Sequence, residues 1–436
     1  MKAATRLLAC ILLGAGIALA DPAPNPAAPL TLRSAIATVL ARYPTLDAAQ
    51  AAVDAAGARA VQAGSARLPQ VSLGGQYTYT TLRPAIAFGS TVFYTTIQNL
   101  YDGGVTVRQL LTDFGHTDAL VAEARAGRIS AEDALESVRQ QLGYETIQSF
   151  YSVLVLQRSV GVADEEIRAL DEALRISDRK YTGGTATKFD VLTTQVRLAE
   201  ARNRRSDTVA SLDKQEALLR QLLGAEPDAP LDVVGDFPPD GPLPSLSESI
   251  AAGLENRPER KLAIDGTHTA DLRLEAARRE DRPTLSALAE GGVENGQLPA
   301  LYANRGYFTG GVGVSVPLFT GRRIAGDRRE ARADLRSARD RVLELDRTIA
   351  TDVSDAIADL RAARARLGSA DLVVAQADEA LALARTRYAN GVITNFELLD
   401  AESADRSARL SRLQARYDGA LARQALARAM GDPPRP

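Results

Sequence analysis

The chain states one pattern twice, and that repetition constrains its fold more than any single residue does. Tyr181, Gly184, Thr187, Phe189, Asp190 and Leu192 return without a gap as Tyr388, Gly391, Thr394, Phe396, Glu397 and Leu399, 207 residues later. Upstream, Leu32, Ile36, Pro44 and Pro69 line up with Leu246, Ile250, Pro258 and Pro283 at a shift of 214. A period this long is too large for a solenoid repeat and points to a duplicated half-molecule. The small length change between the two registers falls in strand-like segments and their loops.

The first twenty residues have the form of an export signal. Lys2 and Arg6 give a charged start, Leu7 to Ile17 an apolar run, and Ala18-Leu19-Ala20 a small-residue cleavage site before Asp21. Cys10, the one cysteine, is discarded with that signal, so disulfides, thiolate catalysis and cysteine-held zinc are excluded from the mature chain. Removing Lys2 and Arg6 takes the formal charge from −3 to −5. Acidic residues are interspersed among the arginines, so no basic patch marks a nucleic-acid partner. No later stretch is apolar enough for a membrane helix. An exported chain of this kind is periplasmic, secreted or an outer-membrane barrel.

Periodicity divides the chain into two parallel plans. In the first repeat (21–224), helix is expected from Leu32 to Arg67, interrupted or bent near Pro44. A strand pair is expected within 71–112: Val71, Leu73, Gly75, Tyr77 and Tyr79 alternate with Ser72, Gly74, Gln76, Thr78 and Thr80, and Val105 to Leu111 alternates again. The segment between these strands reads as a loop rich in Gly, Thr and aromatics. A helical hairpin covers 116–224, with a first arm of roughly 65 residues, about 100 Å at 1.5 Å per residue, and a break at Gly183-Gly184. Six prolines between Gly224 and Pro244 mark 225–245 as a linker. The second repeat (246–431) replays the plan, with a strand pair in 284–319 and a helical hairpin in 321–431, before a short tail (432–436).

The long helices carry a heptad signature. Leu360, Ala363, Leu367, Ala370, Val374, Ala377, Leu381, Ala384 and Tyr388 follow a 3,4 spacing without a break, and Ala163, Ile167, Leu170, Leu174, Ser177 and Tyr181 keep the same phase. Such spacing pairs helices as coiled coils, and alanines permit close approach. Each half is thus a strand pair mounted on a very long helical hairpin. Open-edged sheet cannot survive in lipid, and outer-membrane barrels need at least about eight strands. If the four half-polar strands enter a membrane, several chains must share one barrel.

Strand pair, long helix, tip sequence and return helix, twice over in an exported chain, resemble the TolC family of outer-membrane efflux proteins. The resemblance rests on Lys180-Tyr181-Thr182-Gly183-Gly184-Thr185-Ala186-Thr187-Lys188-Phe189-Asp190-Val191-Leu192 and its echo from Arg387-Tyr388 through Gly391, Thr394 and Glu397 to Asp400. Val316-Pro317-Leu318-Phe319 with Gly321, and the Pro69 and Pro283 strand entries, extend it over the whole mature chain. It implies a mainly α fold with a β-barrel part: a trimeric, internally duplicated α/β tube with four strands and long coiled-coil hairpins per chain. It further implies a passive conduit in the outer membrane, serving efflux or type I secretion. Such a conduit is a homotrimer set in outer-membrane lipid, opened when a periplasmic adaptor and an inner-membrane pump or ABC transporter dock at the tips.

The resemblance also assigns sites. Glu397 and Asp400, three residues apart and so on one helix face, would ring the periplasmic entrance, where three copies would gather six acids, favour cations and raise some of their pKa values by repulsion. The same acids would also suit a solvated first helical turn, which the helix dipole favours. Asp190 matches Glu397, but Thr193 stands where Asp400 does, so the second hairpin would supply the ring. Some family members carry an arginine two residues after the tip glycine, where this chain has Ala186 and Ile393. Tyr181 and Tyr388 would pack in the seam or hydrogen-bond in the closed gate. Gly184, Thr187, Gly391 and Thr394 would form tip turns and adaptor contacts. In the barrel, Leu73, Tyr77 and Val107 would face lipid, and Thr78, Arg108 and Glu290 the lumen.

Nothing in the sequence suggests catalysis. His116 and His268 are isolated and lack metal-ligand spacing. Gly310, Gly311 and Gly313 follow a strand pattern rather than opening a helix, so they make no phosphate loop. No cofactor and no enzymatic activity are expected. A structural or adhesive periplasmic coiled-coil protein would explain the heptads and the export signal, but neither the amphipathic strands nor the tip motif. The transported substrate is not encoded here, because pump and adaptor select it.

Overall fold

A computed structural model describes residues 29–239 and 241–434. The expected signal peptide and the last residues of the tail lie outside this range. Each half begins with a helical stretch interrupted at its proline, here α1 (Leu32–Arg42) and α2 (Pro44–Ser65). The break is at Tyr43 (φ −74°, ψ 124°), because a residue before proline is driven out of the helical region. Thr31 caps α1 reciprocally with Ser34.

Strand β1 (Gln70–Tyr79) follows, then a hairpin of β2 (Ala85–Phe88) and β3 (Thr91–Tyr94), then β4 (Asn99–Thr112). The segment expected as a loop therefore contains a second, two-stranded sheet turning at Gly89, whose φ is +61°. The first long hairpin is α3 (His116–Thr182, 67 residues) and α4 (Lys188–Leu223). The second half supplies α5 (Leu246–Asn256) and α6 (Pro258–Arg279), again broken before a proline. Strands β5 (Thr284–Glu294) and β6 (Arg305–Ser315) lead to α7 (Arg323–Ala389, 67 residues) and α8 (Asn395–Ala429).

The main sheet is antiparallel in the order β1-β4-β5-β6, with β1 and β6 as its edges. Its register sorts side chains by polarity, because successive residues of a strand point to opposite faces. One face carries the rows Val71–Val107–Ala289–Gly310 and Leu73–Val105–Gly291–Phe308. The other carries Ser72–Thr106–Glu290–Thr309. Thr78, Arg108 and Glu290 share the polar face, while Leu73, Tyr77 and Val107 share the apolar one.

Helix α3 is the spine of the stem. It packs on α2 and α6 near the sheet, then on α4 and α8. The heptad positions of α7 are the ones the fold covers: Leu360, Ala363, Val374, Leu381 and Tyr388 are buried. The largest core lies midway, around Ile147, Phe150 and Val153 of α3, Val39 of α1 and Leu219 of α4.

The proline-rich segment between the halves does more than connect. Leu30 and Val233 form a parallel bridge, and Val233 and Phe237 are buried in the central core. Phe237 stacks 5.7 Å from Tyr151 and 6.4 Å from Tyr417 of α8, with Arg158 over its ring at 5.1 Å. It thereby ties the first half to the last helix. Phe237→Ala is expected to destabilise the stem by ~3–5 kcal/mol, the usual cost of a large aromatic cavity. Denaturant unfolding of the purified protein, followed by helical circular dichroism, checks this.

Candidate functional site

The tips lie about 100 Å from the sheet, since 67 residues of helix at 1.5 Å each separate them. Both turns are built alike. Gly184 (φ +76°) and Gly391 (φ +72°) take the left-handed conformation that only glycine adopts without strain. The Thr185 N–H donates to the Lys180 carbonyl at 2.8 Å and that of Gly184 to Tyr181 at 3.0 Å. Val392 and Gly391 donate likewise to Arg387 and Tyr388, at 2.9 and 3.1 Å.

Each return helix then starts with a capping box. The Thr187 N–H and hydroxyl donate to Asp190 Oδ2 at 2.9 and 2.7 Å, and the Asp190 N–H donates back to Thr187 Oγ1 at 3.2 Å. Thr394 and Glu397 repeat this at 2.7, 2.8 and 3.3 Å. Glu397 is therefore already engaged inside its own chain. Its pKa is lowered by hydrogen bonds from the Thr394 backbone and hydroxyl. The expected upward shift belongs to acids gathered from three copies and is not at work within one chain. Two fixed donors favour the ionised form, and no second carboxylate acts on it here. Asp400 is exposed one turn on.

The two tips differ in what holds them. Tyr388 is buried, whereas Tyr181 is 47 % exposed despite its matching seam position. The reason lies in the neighbours. Tyr388 packs with Leu381 and Leu398 and with Ile176 of α3. Lys180 of the first hairpin donates to the Tyr388 carbonyl at 2.7 Å and sits 3.7 Å from its ring centroid. Below it, buried Asn395 donates to Thr194 Oγ1 at 3.0 Å and to the Asp190 carbonyl at 3.2 Å. Ser177, fully buried, stands 3.5 Å from both the Tyr388 hydroxyl and Asn395 Oδ1. The sequence pattern assigns no site role to Lys180, Ser177, Thr194 or Asn395. Ser177, the one serine in an otherwise apolar or aromatic heptad series, was the available signal.

Farther up the stem, an ionic cluster lines a cavity of about 230 Å³ between the hairpins. Glu166 of α3, nearly buried, pairs with Arg204 of α4 at 2.6 Å and Arg406 of α8 at 3.0 Å. Arg409 joins Asp405 (3.0 Å), Asp378 (2.6 Å) and Glu165 (3.4 Å). Burial pushes the Glu402 carboxyl up, although Arg385 lies 3.7 Å away.

On the polar face of the sheet, the Tyr307 hydroxyl donates to Glu290 at 3.1 Å. Its ring lies across Gly104 and Gly292, where an added Cβ would meet ring or hydroxyl atoms at 3.0 Å. His116 contacts the Ala276 carbonyl at 3.0 Å. His268 lies beside the Asp265–Asp133 pair, in which burial and the Asp133 carboxylate push Asp265 to about 6. Among the described residues no group of three potential ligands is placed to hold a metal, and no helix is long and apolar enough to cross a membrane.

Duplicated helical hairpins carrying an amphipathic antiparallel sheet define the TolC-like fold class, and solved structures share it. Among them are the outer membrane protein VceC from Vibrio cholerae (TM-score 0.78, 20% identity, 93% of this chain and 97% of that one) and the Campylobacter jejuni CmeC outer membrane channel (TM-score 0.79, 17% identity, 92% and 85%). The family model described as outer membrane efflux protein matches residues 35–225 and 254–432, and the chain belongs to that family. It is 26% identical over 305 residues to the alkaline protease secretion protein AprF of Pseudomonas aeruginosa, covering 67% of this chain and 62% of AprF. It is 24% identical over 338 residues to the outer membrane efflux protein BepC of Brucella suis biovar 1, covering 75% and 71%. The chain thus spans just over three fifths of AprF.

The capping geometry sets a pH dependence. A carboxylate with a depressed folded pKa stabilises its structure above the unfolded value, and that contribution is lost as pH falls through the folded one. The Thr394 amide is therefore expected to lose hydrogen-exchange protection on acidification below the usual glutamate range. Glu397→Gln should remove that step while leaving the rest of α8 protected. Exchange read by mass spectrometry on tip peptides checks both.

Proposed function

We propose that the chain is one subunit of a homotrimeric outer-membrane conduit in a Gram-negative bacterium, with its helical stem extending into the periplasm. The observation that carries this reading is the open-edged sheet at the end of the stem, with one exposed apolar face and one polar face. Unpaired strand edges are not tolerated in hydrocarbon, so β1 must meet β6 of a neighbouring copy. Three copies of a four-stranded sheet give twelve strands, enough to close. The apolar face, with Leu73 82 % and Phe308 79 % exposed in the single chain, then meets lipid. Thr78, Arg108 and the Glu290–Tyr307 pair line the lumen.

In this reading residues 21–224 and 246–431 act as two wall segments, and the chain is a passive channel rather than an enzyme. Energy comes from an inner-membrane pump or ABC transporter. The periplasmic adaptor docks on the tips around Gly184, Thr187, Gly391 and Thr394, where Phe189 and Phe396 stand exposed. Glu397 and Asp400 from three copies put six carboxylates around the periplasmic aperture, with Asp190 behind them and Tyr181 free to meet a neighbouring copy. The Lys180–Tyr388 contact latches the two hairpins in place of the arginine that this chain lacks. Relatives named for protease secretion and for cobalt-zinc-cadmium resistance support a cargo set by the pump.

Planar-bilayer recording of the purified protein tests the reading. Wild type should conduct with a preference for cations, and Glu397→Ala with Asp400→Ala should lower that preference. Unchanged selectivity would sink the acidic gate. A chain that stays soluble and monomeric without detergent, and conducts nothing, would favour a structural coiled-coil protein instead.

A further inference from the structure

The β2–β3 hairpin is an apolar surface that barrel closure does not explain. It continues the β1–β4 ladder away from the stem, through Thr80 N–H to the Gln98 carbonyl (2.9 Å) and Thr95 N–H to that of Pro84 (2.9 Å). It forms its own sheet, paired Ile86–Phe93 and Ala87–Val92, and packs substantially on no other described element. Phe88 is 69 % and Phe93 55 % exposed, and Ile86, Val92 and Tyr94 are exposed too. From Thr80 to Gln98 the only charged side chain is Arg83. A two-stranded hairpin is marginal in water, and a patch of this kind needs a covering surface.

Its two faces differ. Ile86, Phe88 and Phe93 share one, with the two rings in an edge-to-face pair at 6.1 Å. Tyr94, Val92 and two alanines share the other, where the Arg83 guanidinium lies 4.1 Å from the Tyr94 ring centroid. Arg83 spends its Nε–H on the Thr96 carbonyl (3.2 Å), and its Nη groups have no hydrogen-bond partner among the described residues. Just below, on the apolar face of the main sheet, Tyr77 and Tyr101 pair at 5.2 Å, as aromatic side chains do at a membrane–water boundary.

The geometry points to the β2–β3 hairpin as a membrane-surface anchor, its Phe88–Phe93 face laid on lipid acyl chains and Arg83 on lipid phosphate. This rests on the membrane reading of the main sheet. The hydrocarbon core is closed to the hairpin, because both outer edges carry unpaired backbone groups. Open water is disfavoured by its aromatic face. The interface satisfies both constraints: headgroups and water serve the edges, and acyl chains cover the rings.

The chain has no tryptophan, so a single introduced one reports its own surroundings. The full chain carrying Phe93→Trp, Phe88→Trp, Val92→Trp or Leu73→Trp is placed in phosphatidylcholine nanodiscs, with or without brominated acyl chains. Phe93→Trp and Phe88→Trp should emit at short wavelength and be quenched by bromine, clearly more than Val92→Trp on the opposite face. Arg83→Gln in the Phe93→Trp chain should weaken that quenching, and no change overturns the phosphate contact. Quenching of Leu73→Trp without quenching of either phenylalanine variant overturns the anchor. Blue-shifted emission without quenching does the same and places the hairpin against another copy. An unquenched Leu73→Trp defeats the membrane reading itself.

Discussion

A helix of 67 residues persists in water only where its apolar stripe is covered, because helical propensity alone contributes little beside tertiary packing. Here the stripe is narrow and rich in alanine, so two helices approach closely along a single seam. Helix α3 uses two such seams, one to α4 and one to α8, and α1, α2 and α6 pack on the same spine. The short helices α2 and α6 cover its first third, and the chain's largest core covers its middle. Even the proline-rich crossing contributes Phe237 to that core, where it touches both α3 and α8.

Polar groups inside the seam set register more than stability. Desolvation offsets most of the attraction in a buried ion pair. Glu166, however, reaches Arg204 and Arg406 together only when α4 and α8 stand at one height along α3. Asn395 makes the same demand nearer the tip, since Thr194 and the Asp190 carbonyl both belong to α4. Apolar residues say that two helices meet, and these contacts say where.

That division explains what could be read in the sequence. The 3,4 spacing of Leu360 through Tyr388 is local information, and along it Leu360, Ala363, Val374, Leu381 and Tyr388 are buried. The alternation in β1, β4, β5 and β6 is local as well, and the sheet register keeps its polarity. The β2–β3 hairpin was hidden because both its faces are largely apolar, which erases the alternation by which a half-buried strand is recognised. Ser177 with Asn395, and Lys180 with Tyr388, lie more than 200 residues apart. No local period reports such pairs. Glu397 was legible as an acid near a helix start, yet its engagement in the cap depends on a backbone turn that composition does not display.

The duplication acquires its meaning from where the copies differ. Equivalent tips would leave nothing to distinguish one hairpin from the other, yet Ser177 and Thr194 stand opposite Ala384 and Ala401, and Lys188 opposite Asn395. The polar set sits where the second tip packs onto the first, so Tyr388 is enclosed within the chain while Tyr181 remains open. A tube closed from identical chains alternates two kinds of seam, within a chain and between chains. The covalent copy can specialise each seam separately, which a symmetric assembly of single hairpins could not do. The buried contacts of Lys180, Ser177 and Asn395 fix the internal seam. That leaves Tyr181, Asp400 and the edges of the sheet open in the single chain.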